Sequence, residues 1–235
     1  MSKVIENRRL NDDFLLLRVE EQNEARMGQF CMLRSWDRYP LLSRPVSVFD
    51  SDGATLSFLY RIVGEGTRLL SELRSGDECS TGSPLGHGFP PASGRVALVG
   101  GGAGIAPLYL AAKTLKRENP ENIVHSYLGF TDSPILETEF GAVCDDLLLD
   151  VGGFITDTLD PAEYDCIFSC GPEIMMWVLQ KKCRAVGTKH FVSLEGRMAC
   201  GIGICLGCTC QASDANRKIC TDGPVFPAEE VFGDD

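Results

Sequence analysis

Short apolar runs separated by turn-forming residues dominate the first 91 positions of the chain. The runs cover residues 14–19, 29–34, 47–49, 55–63 and 77–81. Gly, Pro, Asp and Ser interrupt them at short intervals, which is typical of a small antiparallel barrel. One short helix is predicted at residues 67–74, because Gly76 stands just beyond its end.

The pattern changes after residues 90–94, a stretch containing two prolines and a glycine. Apolar strands are predicted at 95–99, 123–128, 147–151, 166–170 and 190–194, and helices at 106–117 and 173–186. Strands that alternate with helices indicate βαβ units and a mostly parallel sheet. The last residues, 224–235, are predicted to form a tail with a loose end.

We therefore predict an α+β multidomain chain. Residues 1–91 form an antiparallel β-barrel domain, residues 92–196 an α/β domain with a parallel sheet, and residues 197–235 a small cysteine-rich module with the tail.

Composition and charge narrow the possible partners. The chain has 235 residues with a net charge of −11, which argues against nucleic acid and anionic membranes as partners. Residues 1–13 are polar, and no apolar run approaches the length of a membrane span. Eleven cysteines without a secretion signal favour a reducing cytoplasm over a disulfide framework.

Four cysteines near the end of the chain carry the strongest chemical signal. Cys200, Cys205, Cys208 and Cys220 have the spacing C-x4-C-x2-C-x11-C. This is the plant-type [2Fe-2S] pattern, although the fourth cysteine follows sooner than in plant ferredoxins. The alternatives are zinc, which usually takes two C-x2-C pairs, and a set of unliganded buried thiols. Cys210 is either a spare thiol or a substitute ligand.

A glycine-rich loop at residues 100–107, Gly-Gly-Gly-Ala-Gly-Ile-Ala-Pro, follows a predicted strand and opens a helix. Glycines such as Gly102 and Gly104 allow a dinucleotide pyrophosphate to approach the helix N-terminus. A purely structural turn is the alternative, because the loop lacks the last glycine of the G-x-G-x-x-G fingerprint. Residues 129–132 end the next strand without a Lys or Arg for a 2′-phosphate, which favours NAD over NADP.

Two segments of the predicted barrel fit a flavin nucleotide. The R-P-V-S sequence starting at Arg44 offers a guanidinium that can clamp a pyrophosphate. The G-E-G-T sequence at residues 64–67 can present phosphate-binding donors at a helix start. Taken alone, Arg44 would be interpreted as a surface residue, and Tyr60, in the preceding L-Y-R sequence, as a core or rim residue.

The C-G-P sequence starting at Cys170 ends a predicted strand at the carboxyl edge of the parallel sheet. Open α/β sheets bind ligands at that edge, so the thiol is a candidate contact for a nicotinamide. A buried thiol before a turn is an equally good interpretation.

The order of these motifs resembles the ferredoxin-reductase superfamily, and most closely the electron-transfer subunit of class 1B dihydroorotate dehydrogenase. S-L-E-G-R-M-A-C-G at residues 193–201, C-T-D-G-P-V-F at 220–226 and G-S-P-L-G-H-G-F at 82–89 carry the closer resemblance. It implies FAD, a [2Fe-2S] cluster and NAD as cofactors. It implies FAD contacts at Arg44, Pro45, Val46, Ser47, Leu59, Tyr60, Arg61, Gly66 and Thr67, and cluster ligands at Cys200, Cys205, Cys208 and Cys220.

The resemblance also implies a function in pyrimidine biosynthesis. The subunit would pass electrons from the FMN of a catalytic partner subunit through [2Fe-2S] and FAD to NAD⁺, within a heterotetramer of two copies of each. Related subunits of sulfur-reducing hydrogenases, sulfite reductases and ferredoxin:NADP oxidoreductases share much of the pattern and provide an alternative. A non-catalytic zinc or redox-sensing interaction protein is an alternative of a different class.

Overall fold

The computed structural model describes residues 1–233. Its N-terminal part is a six-stranded antiparallel sheet with one helix, α1 (Glu65–Ser71). The strands are β1 (Ser2–Arg9), β2 (Phe14–Glu20), β3 (Phe30–Leu33), β4 (Arg44–Ser51), β5 (Thr55–Arg61) and β6 (Glu78–Cys79). The strand order is β3-β4-β5-β2-β1-β6, and a bridge between Arg34 and Ser80 joins the two ends of the sheet. The strands thus curl into the predicted barrel.

The second part is a six-stranded sheet that is parallel except at one edge. Its strands are β7 (Arg95–Gly101), β8 (Ile123–Phe130), β9 (Asp146–Val151), β10 (Cys166–Cys170), β11 (Lys189–Ser193) and the antiparallel β14 (Val225–Pro227), in the order β14-β11-β10-β7-β8-β9. The helices are α2 (Ala106–Glu118), α3 (Glu137–Gly141), α4 (Glu173–Val186) and α5 (Ala228–Val231). A hairpin of β12 (Thr209–Gln211) and β13 (Asn216–Lys218) belongs to the cysteine-rich segment.

One apolar core runs through both sheets. Phe49 of β4 stacks on Tyr109 of α2 with ring centroids 4.3 Å apart, and Asp50 pairs with Lys113 of the same helix at 2.7 Å. Phe89, just before the second sheet, stacks on Phe168 of β10 at 4.5 Å. The barrel is therefore packed directly onto helix α2 and the parallel sheet, and a cleft lies where their edges meet.

Both ends of the chain hold more regular structure than the sequence patterns indicated. The first apolar run begins at residue 14, yet Ser2–Arg9 also forms a strand, β1, because its backbone pairs with both β2 and β6 although few of its side chains are buried. Residues 224–233 are more than a tail, since β14 pairs with β11 and α5 packs against the same edge. The predicted loose end lies at residues 234–235, outside the described residues.

Within residues 1–233, every helix is too short or too polar to traverse a lipid bilayer.

Candidate functional site

A cleft of about 1420 Å³ separates the barrel from the carboxyl edge of the parallel sheet. Ligand sites for one small molecule usually measure about 300–1,000 Å³, so this cleft has room for more than one nucleotide. Its walls come from β4 and β5, from the glycine-rich loop after β7, and from residues 129–131, 152–157, 171–178 and 194–198. The last of these segments leads directly into the cysteine loop.

Eight of the nine predicted flavin contacts border this cleft, namely Arg44, Pro45, Val46, Ser47, Leu59, Tyr60, Arg61 and Thr67. Gly66 lies behind Arg44 instead. A Cβ added to Gly66 would stand 2.3 Å from Nε of Arg44, so the absence of a side chain allows the guanidinium to lie against the start of α1. The same guanidinium lies 5.4 Å from the ring centre of Trp36. Arg44 is therefore held in place as a cation at the cleft wall.

Two of these side chains already use their polar groups within the protein. The hydroxyl of Thr67 accepts the backbone N–H of Val63 at 2.9 Å and donates to the carbonyl of Gly64 at 2.9 Å, which caps α1. The Tyr60 side chain is only 3% exposed and donates its hydroxyl to Asn7 at 3.1 Å. Burial raises the pKa of Tyr60 to about 12. Both residues thus shape the wall and keep their hydroxyls engaged elsewhere.

The glycine-rich loop forms a tight turn between β7 and α2, and both predicted glycines border the cleft. Gly102 has a φ of +55°, which favours glycine. A Cβ on Gly104 would lie 2.3 Å from the carbonyl oxygen of Cys170, so the turn packs against the end of β10. Pro107 occupies the first turn of α2, where its missing N–H costs no hydrogen bond. Beside the cleft the turn presents mainly backbone, with only the small side chains of Ala103 and Ala106.

Cys170 is fully buried and does not border the cleft, although Gly171 and Pro172 beside it do. Its Sγ lies 3.9 Å from Oε1 of Glu195, and burial raises the pKa of the thiol well above its usual value. The thiol contact with a nicotinamide stays a prediction, since the adjoining turn, and not the sulfur, faces the ligand space.

Glu195 is a cleft residue that the sequence reasoning missed. The residue borders the cleft and is partly exposed to solvent, and desolvation of its carboxyl, whose Oε1 lies near the buried Cys170 sulfur, raises its pKa. The available signal was its position in the S-L-E sequence directly after β11, because residues that follow a strand at the carboxyl edge of a parallel sheet tend to face the ligand. Glu195 therefore adds a carboxyl group with a raised pKa to the residues around the cleft.

The four predicted cluster ligands form two neighbouring pairs of thiols. Backbone N–H groups of Cys205 and Ile202, together with the Cys205 thiol, lower the pKa of Cys200 to about 6. Burial raises the pKa of Cys220 to about 11, and its thiol is hydrogen-bonded to Cys208 and close to Cys200. Within residues 1–233, no three potential ligand side chains converge closely enough to hold a single metal ion. Two adjacent pairs fit a two-iron cluster, in which each iron takes two cysteines.

Backbone N–H groups surround these sulfurs. Gly203 donates to Sγ of Cys220 at 3.1 Å, and Gly207 donates to Sγ of Cys205 at 3.4 Å. Gly201 and Gly203 have φ values of +72° and +79°, which favour glycine and turn the backbone around the thiols. Such N–H donors stabilise thiolate charge, and they tune the potential of an iron–sulfur centre. Cys210 lies on β12 and packs against the apolar residues around Cys208 and Cys220, and burial raises its pKa.

Comparison with known proteins agrees with this geometry. The family model of the iron–sulfur cluster binding domain of dihydroorotate dehydrogenase B matches residues 195–232. The electron transfer subunit of dihydroorotate dehydrogenase B (NAD(+)) from Clostridium acetobutylicum is 42% identical, with 100% of this chain and 98% of that protein covered. The protein of the same name from Listeria monocytogenes serotype 4b is 39% identical, with 97% of each chain covered.

Solved structures share the fold. An NADH-dependent reduced ferredoxin-NADP oxidoreductase chain is 31% identical and superimposes with a TM-score of 0.88, covering 98% of this chain and 89% of that one. The ferredoxin reductase in carbazole 1,9a-dioxygenase is 22% identical with a TM-score of 0.67, covering 80% of this chain and 65% of that one, and it shows the fold alone. The predicted fold class and family are confirmed. By its identity over the full length, the chain belongs to the family of dihydroorotate dehydrogenase B (NAD(+)) electron transfer subunits.

Proposed function

We propose that this chain is the electron-transfer subunit of an NAD-dependent dihydroorotate dehydrogenase, an oxidoreductase of pyrimidine biosynthesis. Two adjacent pairs of thiols beside a cleft with room for two nucleotides support this function. The chain also aligns from end to end with relatives of that name. Its cofactors are FAD, a [2Fe-2S] cluster and NAD. When bound, the flavin exchanges hydride with the nicotinamide and single electrons with the cluster.

The protein's own residues hold and tune these groups. Cys200 and Cys205 hold one iron and Cys208 and Cys220 the other, and the N–H groups of the cysteine loop stabilise the sulfur charge. The FAD site is formed by the R-P-V-S segment of β4, the end of β5 and the start of α1, with Arg44 as the fixed cation for the pyrophosphate.

The NAD site is formed by the turn at Gly102 and Gly104, which exposes backbone to the cleft so that a pyrophosphate can approach closely. These sites correspond to a division into a flavin domain at residues 1–91, a nucleotide-binding domain at 92–196 and a cluster module at 197–235.

A partner subunit is part of the proposal. Three large apolar side chains on the cysteine loop are exposed, with 54% of Ile202, 77% of Ile204 and 63% of Leu206 open to solvent. An apolar surface around a redox centre fits a protein partner that exchanges electrons with it. We assign this role to an FMN-containing catalytic subunit, with two copies of each chain in a cytoplasmic heterotetramer.

The experiment compares the isolated chain with the assembled complex. The isolated chain is expected to show overlapping flavin and iron–sulfur absorbance and to oxidise NADH with ferricyanide as acceptor, but to leave dihydroorotate unchanged. Adding the catalytic subunit should couple dihydroorotate oxidation to NAD⁺ reduction. Turnover of dihydroorotate by the isolated chain, or a protein without flavin absorbance, would contradict the proposal.

A second candidate is a subunit of an NADH-linked ferredoxin–NADP oxidoreductase, which the 31% identity and TM-score of 0.88 to such a chain favour. The two candidates differ in their partner. Co-purification with an FMN protein that oxidises dihydroorotate supports the first function, whereas co-purification with an NADPH-oxidising flavoprotein that reduces ferredoxin supports the second.

A further inference from the structure

Arg44, the cation assigned to the FAD pyrophosphate, is restrained by three neighbours. Gly66 leaves room for its guanidinium at the start of α1, and the ring centre of Trp36 lies 5.4 Å from it. Its Nη1 donates to the carbonyl of Leu42. Among residues 1–233, Arg44 forms no ion pair with a carboxylate. Its charge is therefore held at the cleft wall without an acidic partner, which suits an anionic ligand.

A second arginine, Arg34, organises the segment that carries Trp36. This segment, residues 34–43, connects β3 to β4. The guanidinium of Arg34 donates to four backbone carbonyls of the segment, among them those of Trp36 and Leu41, each at 2.7 Å. A guanidinium has five N–H donors in a rigid fork, so it can serve several carbonyls at once. Arg34 thus fixes the course of the backbone between the two strands.

The backbone of Arg34 is itself anchored to the barrel. Its N–H donates to the carbonyl of Ser80 at 2.9 Å, and the N–H of Ser80 donates to the carbonyl of Arg34 at 2.8 Å. This pair is the bridge that joins the two ends of the barrel sheet. The segment is therefore fastened to a rigid part of the fold.

The indole of Trp36 connects Arg34 to Arg44. Its ring centre lies 5.6 Å from the guanidinium carbon of Arg34 and 5.4 Å from that of Arg44, and its Nε1–H donates to the carbonyl of Pro40. The face of an indole attracts cations at these distances. The ring is half-buried against the barrel core and does not border the cleft, so it can influence a ligand there only through Arg44.

We propose that Arg34 and Trp36 are positioning residues for FAD: Arg34 fixes the segment 34–43, and the ring of Trp36 holds the guanidinium of Arg44 in the orientation that binds the pyrophosphate. This inference rests on the proposed function, because it takes Arg44 as the cation for that group. A free arginine side chain samples many rotamers, and one that is already ordered loses less entropy when it binds. The two residues therefore raise the affinity for FAD without touching it.

The test is a double-mutant cycle on the full chain loaded with FAD and the cluster. Flavin fluorescence, which rises when FAD is released on dilution, gives the dissociation constant. Trp36→Leu and Arg34→Met should each weaken FAD binding by about tenfold. In an Arg44→Ala background, which already binds FAD more weakly, the same two changes should weaken it by no more than about twofold further. Trp36→Phe, which keeps an aromatic face, should bind FAD nearly as well as the wild type.

The chain offers a matched control for each change. Trp177→Leu removes the other tryptophan, whose ring also lies under a cation, with Nζ of Lys181 3.5 Å from its centre. Arg18→Met removes another arginine of the barrel, which pairs with Asp52 at 3.1 Å and does not border the cleft. Both controls should leave the dissociation constant for FAD unchanged.

Wild-type affinity in both Trp36→Leu and Arg34→Met would overturn the inference. An equal loss in the two backgrounds would also overturn it, since residues that merely support the barrel would act whether or not Arg44 is present. If Trp36→Leu does not fold, Arg34→Lys completes the same cycle and should behave like Arg34→Met, because one ammonium cannot serve four separate carbonyls. An Arg44→Ala chain that binds FAD as tightly as the wild type would instead contradict the FAD site of the proposed function.

Discussion

Acidification is expected to destabilise the parallel sheet through one histidine, His190. Its ring is 6% exposed on β11, with Nε2 2.8 Å from Oγ of Ser169 and Nδ1 3.0 Å from Oε1 of Gln180. The Nδ1–H donates to the Gln180 oxygen, so Nε2 accepts from the serine hydroxyl. Protonation would add a charge to the core and remove that acceptor, and burial accordingly lowers the pKa of His190 to about 3.

The size of the effect follows from the difference in proton binding. The unfolded chain takes up a proton at this histidine below its ordinary pKa of 6.5, whereas the folded chain does so only near 3. Between these two pKa values, the free energy of unfolding falls by about 1.4 kcal/mol for each unit by which the pH is lowered. The loss is about 2 kcal/mol at pH 5 and reaches about 5 kcal/mol at most, a large part of the stability of a typical domain.

Denaturant unfolding at several pH values between 7 and 4.5, followed by tryptophan fluorescence, measures this loss. His190→Asn keeps a donor and an acceptor in the core but cannot titrate, so its stability should fall less steeply than that of the wild type. When the pH is lowered from 7 to 5, the free energy of unfolding of the wild type should fall by about 2 kcal/mol more than that of His190→Asn. Effects that both proteins share, such as loss of the cluster in acid, cancel in this comparison.

His87 provides the matched control, because its side chain is exposed in a loop. His87→Asn should reproduce the wild-type dependence on pH. Parallel stability curves for wild type and His190→Asn would refute the reasoning, since they would mean that the buried imidazole binds protons equally in the folded and unfolded chain.

Further predictions concern the cluster and the glycines of the cleft. Cys200→Ser should abolish the visible iron–sulfur absorbance and lower the iron content, whereas Cys210→Ser should retain both, and equal spectra would contradict the ligand assignment. Gly104→Ala should lower the free energy of unfolding by about 3 kcal/mol, because the new Cβ would stand 2.3 Å from a backbone carbonyl oxygen of β10. Urea titrations measure this loss, and a variant as stable as the wild type would contradict the prediction. Gly66→Ala should displace the guanidinium of Arg44 and thereby weaken FAD binding by about tenfold, as measured by flavin fluorescence. An unchanged affinity for FAD would mean that the position of Arg44 does not matter for FAD binding.

Elements with strong local patterns were predicted closely. The strand predicted at 166–170 is Cys166–Cys170, and the helix predicted at 173–186 is Glu173–Val186. Both are defined by their own residues, a continuous apolar run in one case and an amphipathic period in the other. Strand β1 was missed because it exists through its pairing with two neighbouring strands, and β14 was missed because it completes the edge of a sheet whose other strands are distant in sequence.

The sequence by itself determined the motifs whose chemistry depends on neighbouring residues. The spacing of the cysteines, the glycine-rich loop and the R-P-V-S segment are local features, because backbone geometry over a few residues decides what they can hold. Only the tertiary structure decided that Gly66 makes room for Arg44 and that Cys170 is buried while Glu195 borders the cleft. These relations join residues far apart in the chain, and packing and strand register, which no short segment contains, set the distances between them.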